Sequence, residues 1–152
     1  MSQKLKEKSL LPDAQATSAA GGTTGDAGLD ERILLALQAA AEKKALDLVV
    51  LDLRPVASFT DFFVITSGTN RRQVQAISDG VVEQLKKNGT RAARVEGYQT
   101  AEWILVDYGD FILHVFDEKA RRFYDLERLW REAVRVDLPA DQFGAVGSLR
   151  EE

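Results

Sequence analysis

The sequence predicts a mixed α/β domain, a mixed sheet of about five strands flanked by helices. Three observations carry that prediction. The stretch E-G-Y-Q-T-A-E-W-I-L-V-D-Y-G-D-F-I-L-H-V-F (96–116) holds two apolar, β-rich runs, 103–107 and 110–116, joined at Tyr108-Gly109. Two such runs with glycine in a tight connection form a hairpin signal. Two earlier segments repeat apolar residues at helical spacing. The element order, α-β-β-α-β-β-β-α, suits helices laid on the faces of a mixed sheet.

Residues 1–28 are rich in Ala, Gly, Ser and Thr after a lysine-bearing start, and could bury little; they read as a disordered leader. G-G-T-T-G-D-A-G has no strand before it and no G-K-[ST] ending, so it is not a phosphate loop. Residues 29–44 form the first helix: Ile33, Leu37, Ala40, Ala41 and Lys44 fall at helical spacing, and Asp30 and Glu31 suit its positive end. L-D-L-V-V-L-D-L (46–53) is a strand ended by Arg54-Pro55, since proline cannot donate to a ladder. T-D-F-F-V-I-T-S (60–67) is the second strand, joined by a short connection and so antiparallel to the first.

Asn70 is a good N-cap, and Gln73 three residues on completes a capping-box pattern. Val74, Ile77, Val81 and Leu85 share one face of this second helix, which Asn88-Gly89 stops. Residues 91–95 are a short third strand, and the hairpin follows. Asp117 caps a helical turn through Lys119 and Arg122; Phe123-Tyr124 packs inward. Asp125 opens a last short helix with Leu126, Leu129 and Trp130 near one side. The domain thus spans 29–136, and 137–152, with Pro139, Gly144 and Gly147, is a flexible tail.

The 152 residues suffice for one domain of ordinary size, and 45% hydrophobic with 29% charged residues is usual for a globular protein. No cysteine is present, which excludes disulfides and thiol chemistry. The net charge of -4 runs against the basic footprint of nucleic-acid binders, so little direct nucleic-acid contact is expected and a basic protein surface is the easier partner. No signal peptide and no apolar run long enough to span a bilayer is visible, and a cytoplasmic location is expected.

Candidate chemistry is sparse. Asp107 and Asp110 flank the hairpin turn; across a Tyr108-Gly109 loop they would face each other and could hold a divalent cation or split acid and base roles. Equally, each could tie down turn amides, and like charges directly opposite are unfavourable. His114 is the sole histidine, so a two-histidine metal site is excluded; it is either a half-buried, hydrogen-bonded side chain or a partner contact. Alternation puts Ile112, His114 and Phe116 on one face of their strand and Phe111, Leu113 and Val115 on the other. Trp103 and Leu105 share a face, and Trp103 is either core or an interface hot spot. Arg71-Arg72 at a helix start could meet an anion, but match no phosphate-loop spacing, and ordinary solvation suits them better.

T-D-F-F-V-I-T-S-G-T-N-R-R-Q-V-Q-A-I-S-D (60–79), the 96–116 stretch and R-F-Y-D-L-E-R-L-W (122–130) closely resemble the ribosomal silencing factor family, RsfS, also called YbeB or Iojap. The likeness covers about 29–130. It implies a nucleotidyltransferase-like fold and binding to the large ribosomal subunit through ribosomal protein uL-fourteen. It implies a steric block to small-subunit docking that represses translation under nutrient limitation, and a homodimer when free. The implied partner-binding residues lie on W-I-L-x-D-Y-G-D: Trp103, Leu105, Asp107, Tyr108, Asp110 and His114, with no catalytic residue, metal or cofactor. The alternative is an Mg-dependent nucleotidyltransferase-like enzyme. Against it, Gly68-Thr69 is followed by Asn70-Arg71-Arg72 and no Asp-x-Asp appears downstream.

Overall fold

The computed structural model describes residues 29–138. The leader assigned to 1–28 and the tail beyond 138 lie outside the described residues. Asp30 caps α1 (Glu31–Glu42) by accepting a hydrogen bond from the Arg32 amide. Ile33, Ala36, Leu37, Ala39 and Ala40 form its buried face, so the small alanines let the helix sit close against its neighbours. The strands β1 (Leu46–Asp52) and β2 (Phe62–Gly68) follow, and pair antiparallel as expected. α2 (Arg71–Lys87) buries Val74, Ile77, Ser78, Val81 and Leu85. Then come β3 (Arg94–Glu96), β4 (Trp103–Asp107), β5 (Phe111–Asp117), α3 (Glu118–Tyr124), α4 (Leu126–Leu129) and β6 (Val134–Val136).

The sheet is six-stranded, in the order β3-β4-β5-β2-β1-β6. It is mixed: β2 and β5 run parallel at its centre, and every other pair is antiparallel. The sixth strand is one more than the sequence suggested. Val134–Val136 adds to the β1 edge through Val50, Leu51 and Asp52, and three residues are too few for period-two alternation to show. β2 is buried at every residue, as a strand covered on both faces must be.

Two cores result. On one face, α1 and α2 cover Leu48, Val50, Phe62, Val64, Ile104, Val106, Phe111, Leu113 and Val115. On the other, Val49, Leu51, Phe63, Ile65, Leu105, Ile112 and Phe116 are closed over by Ala120 of α3, Leu126 of α4, and Trp130, with Phe59 packed against them. The second face is thus covered by the two shortest helices among the described residues.

The hairpin turn sits one residue later than the sequence suggested. Asp107 pairs with Ile112, and the Tyr108 amide donates to the Phe111 carbonyl at 3.0 Å, so Gly109-Asp110 forms the loop. The Asp110 amide also donates to the Tyr108 carbonyl, which throws Gly109 to φ +87°, a region where glycine pays no steric cost. Asp107 and Asp110 therefore do not face each other across the ladder.

Candidate functional site

The six candidate residues are spread over two faces and two ends of the β4–β5 hairpin. Trp103 opens β4, and Asp107 lies at its other end, roughly 13 Å away at the usual rise per strand residue. At the turn end, Asp107 is 8% exposed. One of its oxygens accepts from the Gly109 amide at 2.8 Å and the other from Arg94 at 3.3 Å. Asp110 is exposed and ion-paired to Arg32 at 2.7 Å. The two carboxylates thus hold a turn amide and two different arginines, the polar-contact reading of the pair. Tyr108 is buried on the α1–α2 face, stacked on Phe111 at 4.8 Å, and burial alone pushes its hydroxyl up to about 12. The turn is also tied to the β1–β2 connection: the Thr60 hydroxyl donates to the Gly109 carbonyl and the Asp61 amide to the Asp110 carbonyl. Burial, followed by the nearby Asp110 charge, raises the Asp61 carboxyl.

At the other end, Leu105 and His114 are sealed in the second core, 2% and 0% exposed, and pair directly across β4 and β5. Neither can touch a partner unless the cover of α3, α4 and Trp130 lifts from the sheet. His114 is fully rather than half buried, and burial lowers its imidazole to about 3, so it is neutral. Trp103 is half-buried and reaches the surface. Its indole lies 4.9 Å from the Phe116 ring and 4.6 Å from the Tyr124 ring, and its Nε1–H donates to His114 Nδ1 at 3.0 Å.

Phe123 and Tyr124 do not pack inward. They are 76% and 45% exposed, ring centroids 4.9 Å apart and nearly perpendicular. α3 is under two turns long and buries only Ala120, so its C-terminal aromatics project past the core. Leu129 is likewise exposed, whereas Leu126 and Trp130, grouped with it from the sequence, are buried. Trp103, Tyr124 and Phe123 therefore make a continuous aromatic rim above the second core. The sequence reading found Trp103 and missed the other two, although R-F-Y-D places two aromatics together beside a helix end.

The rim is held by Arg121, also missed. Its guanidinium donates to Ser67 Oγ at 2.8 Å, the Asp47 carbonyl at 2.9 Å and Glu127 Oε2 at 2.8 Å. That links α3 and the α4 segment to β1 and β2. Burial pushes the Glu127 carboxyl up, but the hydrogen bonds and charge of Arg121 outweigh it, leaving Glu127 lowered. Asp117 caps α3 through the Ala120 amide at 2.7 Å. Gly97, at φ +81°, lets the loop before β4 press against that strand: an added Cβ would collide with the Trp103 carbonyl.

The start of α2 is a different polar knot. Asn70 accepts from the Gln73 amide as a cap should, but the Gln73 side chain accepts from the Thr69 amide and hydroxyl and donates to the carbonyls of Lys43 and Lys44. It thus ties the end of α1 to the start of α2. Arg71 and Arg72 are solvent-exposed there. Among the described residues no group of three or more His, Cys, Asp or Glu side chains is gathered to hold a metal ion.

Fold and surface together define a small mixed α/β domain that carries an exposed aromatic rim beside one end of its sheet. The chain matches the family described as "Ribosomal silencing factor during starvation" over residues 27–150, and it belongs to that family. It is 39% identical over 108 residues to the ribosomal silencing factor RsfS of Halalkalibacterium halodurans, covering 71% of this chain and 92% of that one. It is 38% identical over 112 residues to the RsfS of Bacillus subtilis, covering 72% and 95%. A crystal structure of a Chromobacterium violaceum protein superposes with a TM-score of 0.65 at 33% identity, covering 72% of this chain and 88% of that one.

Proposed function

We propose that this protein is a non-enzymatic ribosomal silencing factor. It binds the large ribosomal subunit through ribosomal protein uL-fourteen, occupies the surface the small subunit needs, and so represses translation when nutrients run short. The mechanism is steric and needs only occupancy. In the free state the protein pairs with a second copy, and it works in the cytoplasm. Family membership supports the ribosomal role, and the rim of Trp103, Tyr124 and Phe123 is the observation that carries the docking surface. Exposed aromatics clustered on a rigid platform are the residues that dominate binding energy at protein interfaces. Of the six residues of the W-I-L-x-D-Y-G-D segment, Trp103 makes the direct contact; Leu105 and His114 support it from beneath, and Asp107, Tyr108 and Asp110 fix the far turn. A net charge of -4 favours a basic protein partner.

The test is co-sedimentation of the purified protein with large subunits, with and without Trp103→Ala and Phe123→Ala. Wild-type protein should pellet with large subunits and each variant should pellet less at the same concentration. Wild-type protein left in the supernatant refutes the proposal. A catalytic alternative, nucleotide transfer with Mg²⁺ held by Asp107 and Asp110, is poorly served by two carboxylates already engaged with Gly109, Arg94 and Arg32. Calorimetric titration with nucleotide and Mg²⁺ checks it, and binding lost on changing both residues to Asn would revive it.

A further inference from the structure

His114 occupies a site that favours an apolar residue. It is 0% exposed, among Phe63, Leu105, Ile112 and Phe116 in the second core, with the Phe63 ring edge-on at 4.4 Å. The indole N–H of Trp103 can only donate, so His114 Nδ1 is the acceptor and the imidazole carries its proton on Nε2. That Nε2 is buried with no hydrogen-bond partner among the described residues. An orphaned buried N–H costs stability, and a phenylalanine in its place would remove the cost. What phenylalanine cannot do is accept the indole proton. Trp103 is the half-buried base of the rim: Phe116 lies on the core side of it and Tyr124 against it, and Phe123 meets Tyr124.

We infer that His114 is a positioning residue for the docking rim, never touching the partner but fixing the Trp103 indole, and through it the Tyr124 and Phe123 rings, in the orientation a protein partner reads. The inference rests on the proposal that Trp103 belongs to the docking surface. A stacked ring held only by dispersion can slide or flip, whereas a hydrogen bond to a buried acceptor selects one orientation before binding and spares that ordering cost on association.

Three full-length variants test it: His114→Phe, which has no acceptor; His114→Asn, whose Oδ1 can stand near the place of Nδ1; and Trp103→Ala. Each is measured for urea unfolding midpoint, for the NMR shift of the Trp103 indole N–H, and for affinity to purified large subunits. His114→Phe should unfold at or above the wild-type midpoint, shift the indole resonance, and bind about ten-fold more weakly, the upper end of the scale of one net neutral hydrogen bond. His114→Asn should restore the indole shift and most of the affinity while being less stable. Wild-type affinity in folded His114→Phe, with binding weakened in Trp103→Ala, overturns the inference and leaves the docking surface standing. Wild-type affinity in Trp103→Ala overturns both. If His114→Phe does not fold, the Asn variant decides: folded with near-normal affinity and indole shift supports the inference, and folded with weakened binding and a normal indole shift overturns it.

Discussion

Replacing Arg121 by methionine should loosen the cover of the second core. The methylene stem keeps its packing, so the loss is confined to the guanidinium. Its side chain is 10% exposed and Glu127's is 26%. It donates to Ser67 Oγ, the Asp47 carbonyl and the Glu127 carboxylate. Charged hydrogen bonds of this sort are worth roughly 1.5–3 kcal/mol each when fully buried. Water can reach Glu127, so that pair counts for less than a sealed one. The bonds to Ser67 and Asp47 alone set a destabilisation of about 3–6 kcal/mol, read as a lower urea midpoint at neutral pH. A second readout comes from linkage. The folded Glu127 is lowered from 4.5, so its stabilising contribution is present above 4.5 and lost as pH falls through the lowered folded value. The variant should lose that part of the acid dependence. An unfolding free energy within about 0.5 kcal/mol of wild type would show that Arg121 does not hold α3 to the sheet.

Three further outcomes are expected. Phe123→Ala should leave stability within about 0.5 kcal/mol, because the ring is 76% exposed, yet weaken large-subunit binding by about 1–2 kcal/mol; melting and co-sedimentation measured together check it, and unchanged binding contradicts it. Gly97→Ala should cost about 2–4 kcal/mol in thermal unfolding, since it combines φ +81° with a collision at the Trp103 carbonyl; a wild-type melting curve would contradict it. His114, held neutral by burial with its value lowered to about 3 from 6.5, makes the unfolded state bind the extra proton between those values. Its effect on stability is absent above 6.5 and becomes a loss approaching about 1.4 kcal/mol per pH unit as pH falls towards 3. Urea midpoints at stepped pH should show a steeper acid decline in wild type than in His114→Phe, and parallel curves would contradict the assignment.

The order and type of the long elements were legible because their residues alternate or repeat at the spacing that burial demands. Val74, Ile77, Val81 and Leu85 are all buried on α2, and Ile112, His114 and Phe116 do face away from Phe111, Leu113 and Val115. Legibility failed where elements are short. β6 has three residues and takes its place from pairing with β1, and α3 and α4 have seven and four, too few to define a face. That is why Phe123 and Tyr124 were assigned inward, and why Leu129 was grouped with Leu126 and Trp130. The parallel pairing of β2 with β5 depends on contacts far apart in sequence, which no local pattern encodes. In the site, Trp103 announced itself as an aromatic on a strand, but the depth of Leu105 and His114 depends on how α3 and α4 close over the sheet. Arg121 looked like any helix-surface cation until Ser67, Asp47 and Glu127 were brought to it.

The most direct measurement is subunit joining in a sucrose gradient, with purified large and small subunits mixed after incubation with the protein. Wild-type protein should shift material from joined ribosomes to free subunits, and a folded Phe123→Ala/Tyr124→Ala double variant should leave joining at its protein-free level. Undiminished joining with saturating wild-type protein, or an equally strong block by the double variant, would contradict steric silencing through the aromatic rim.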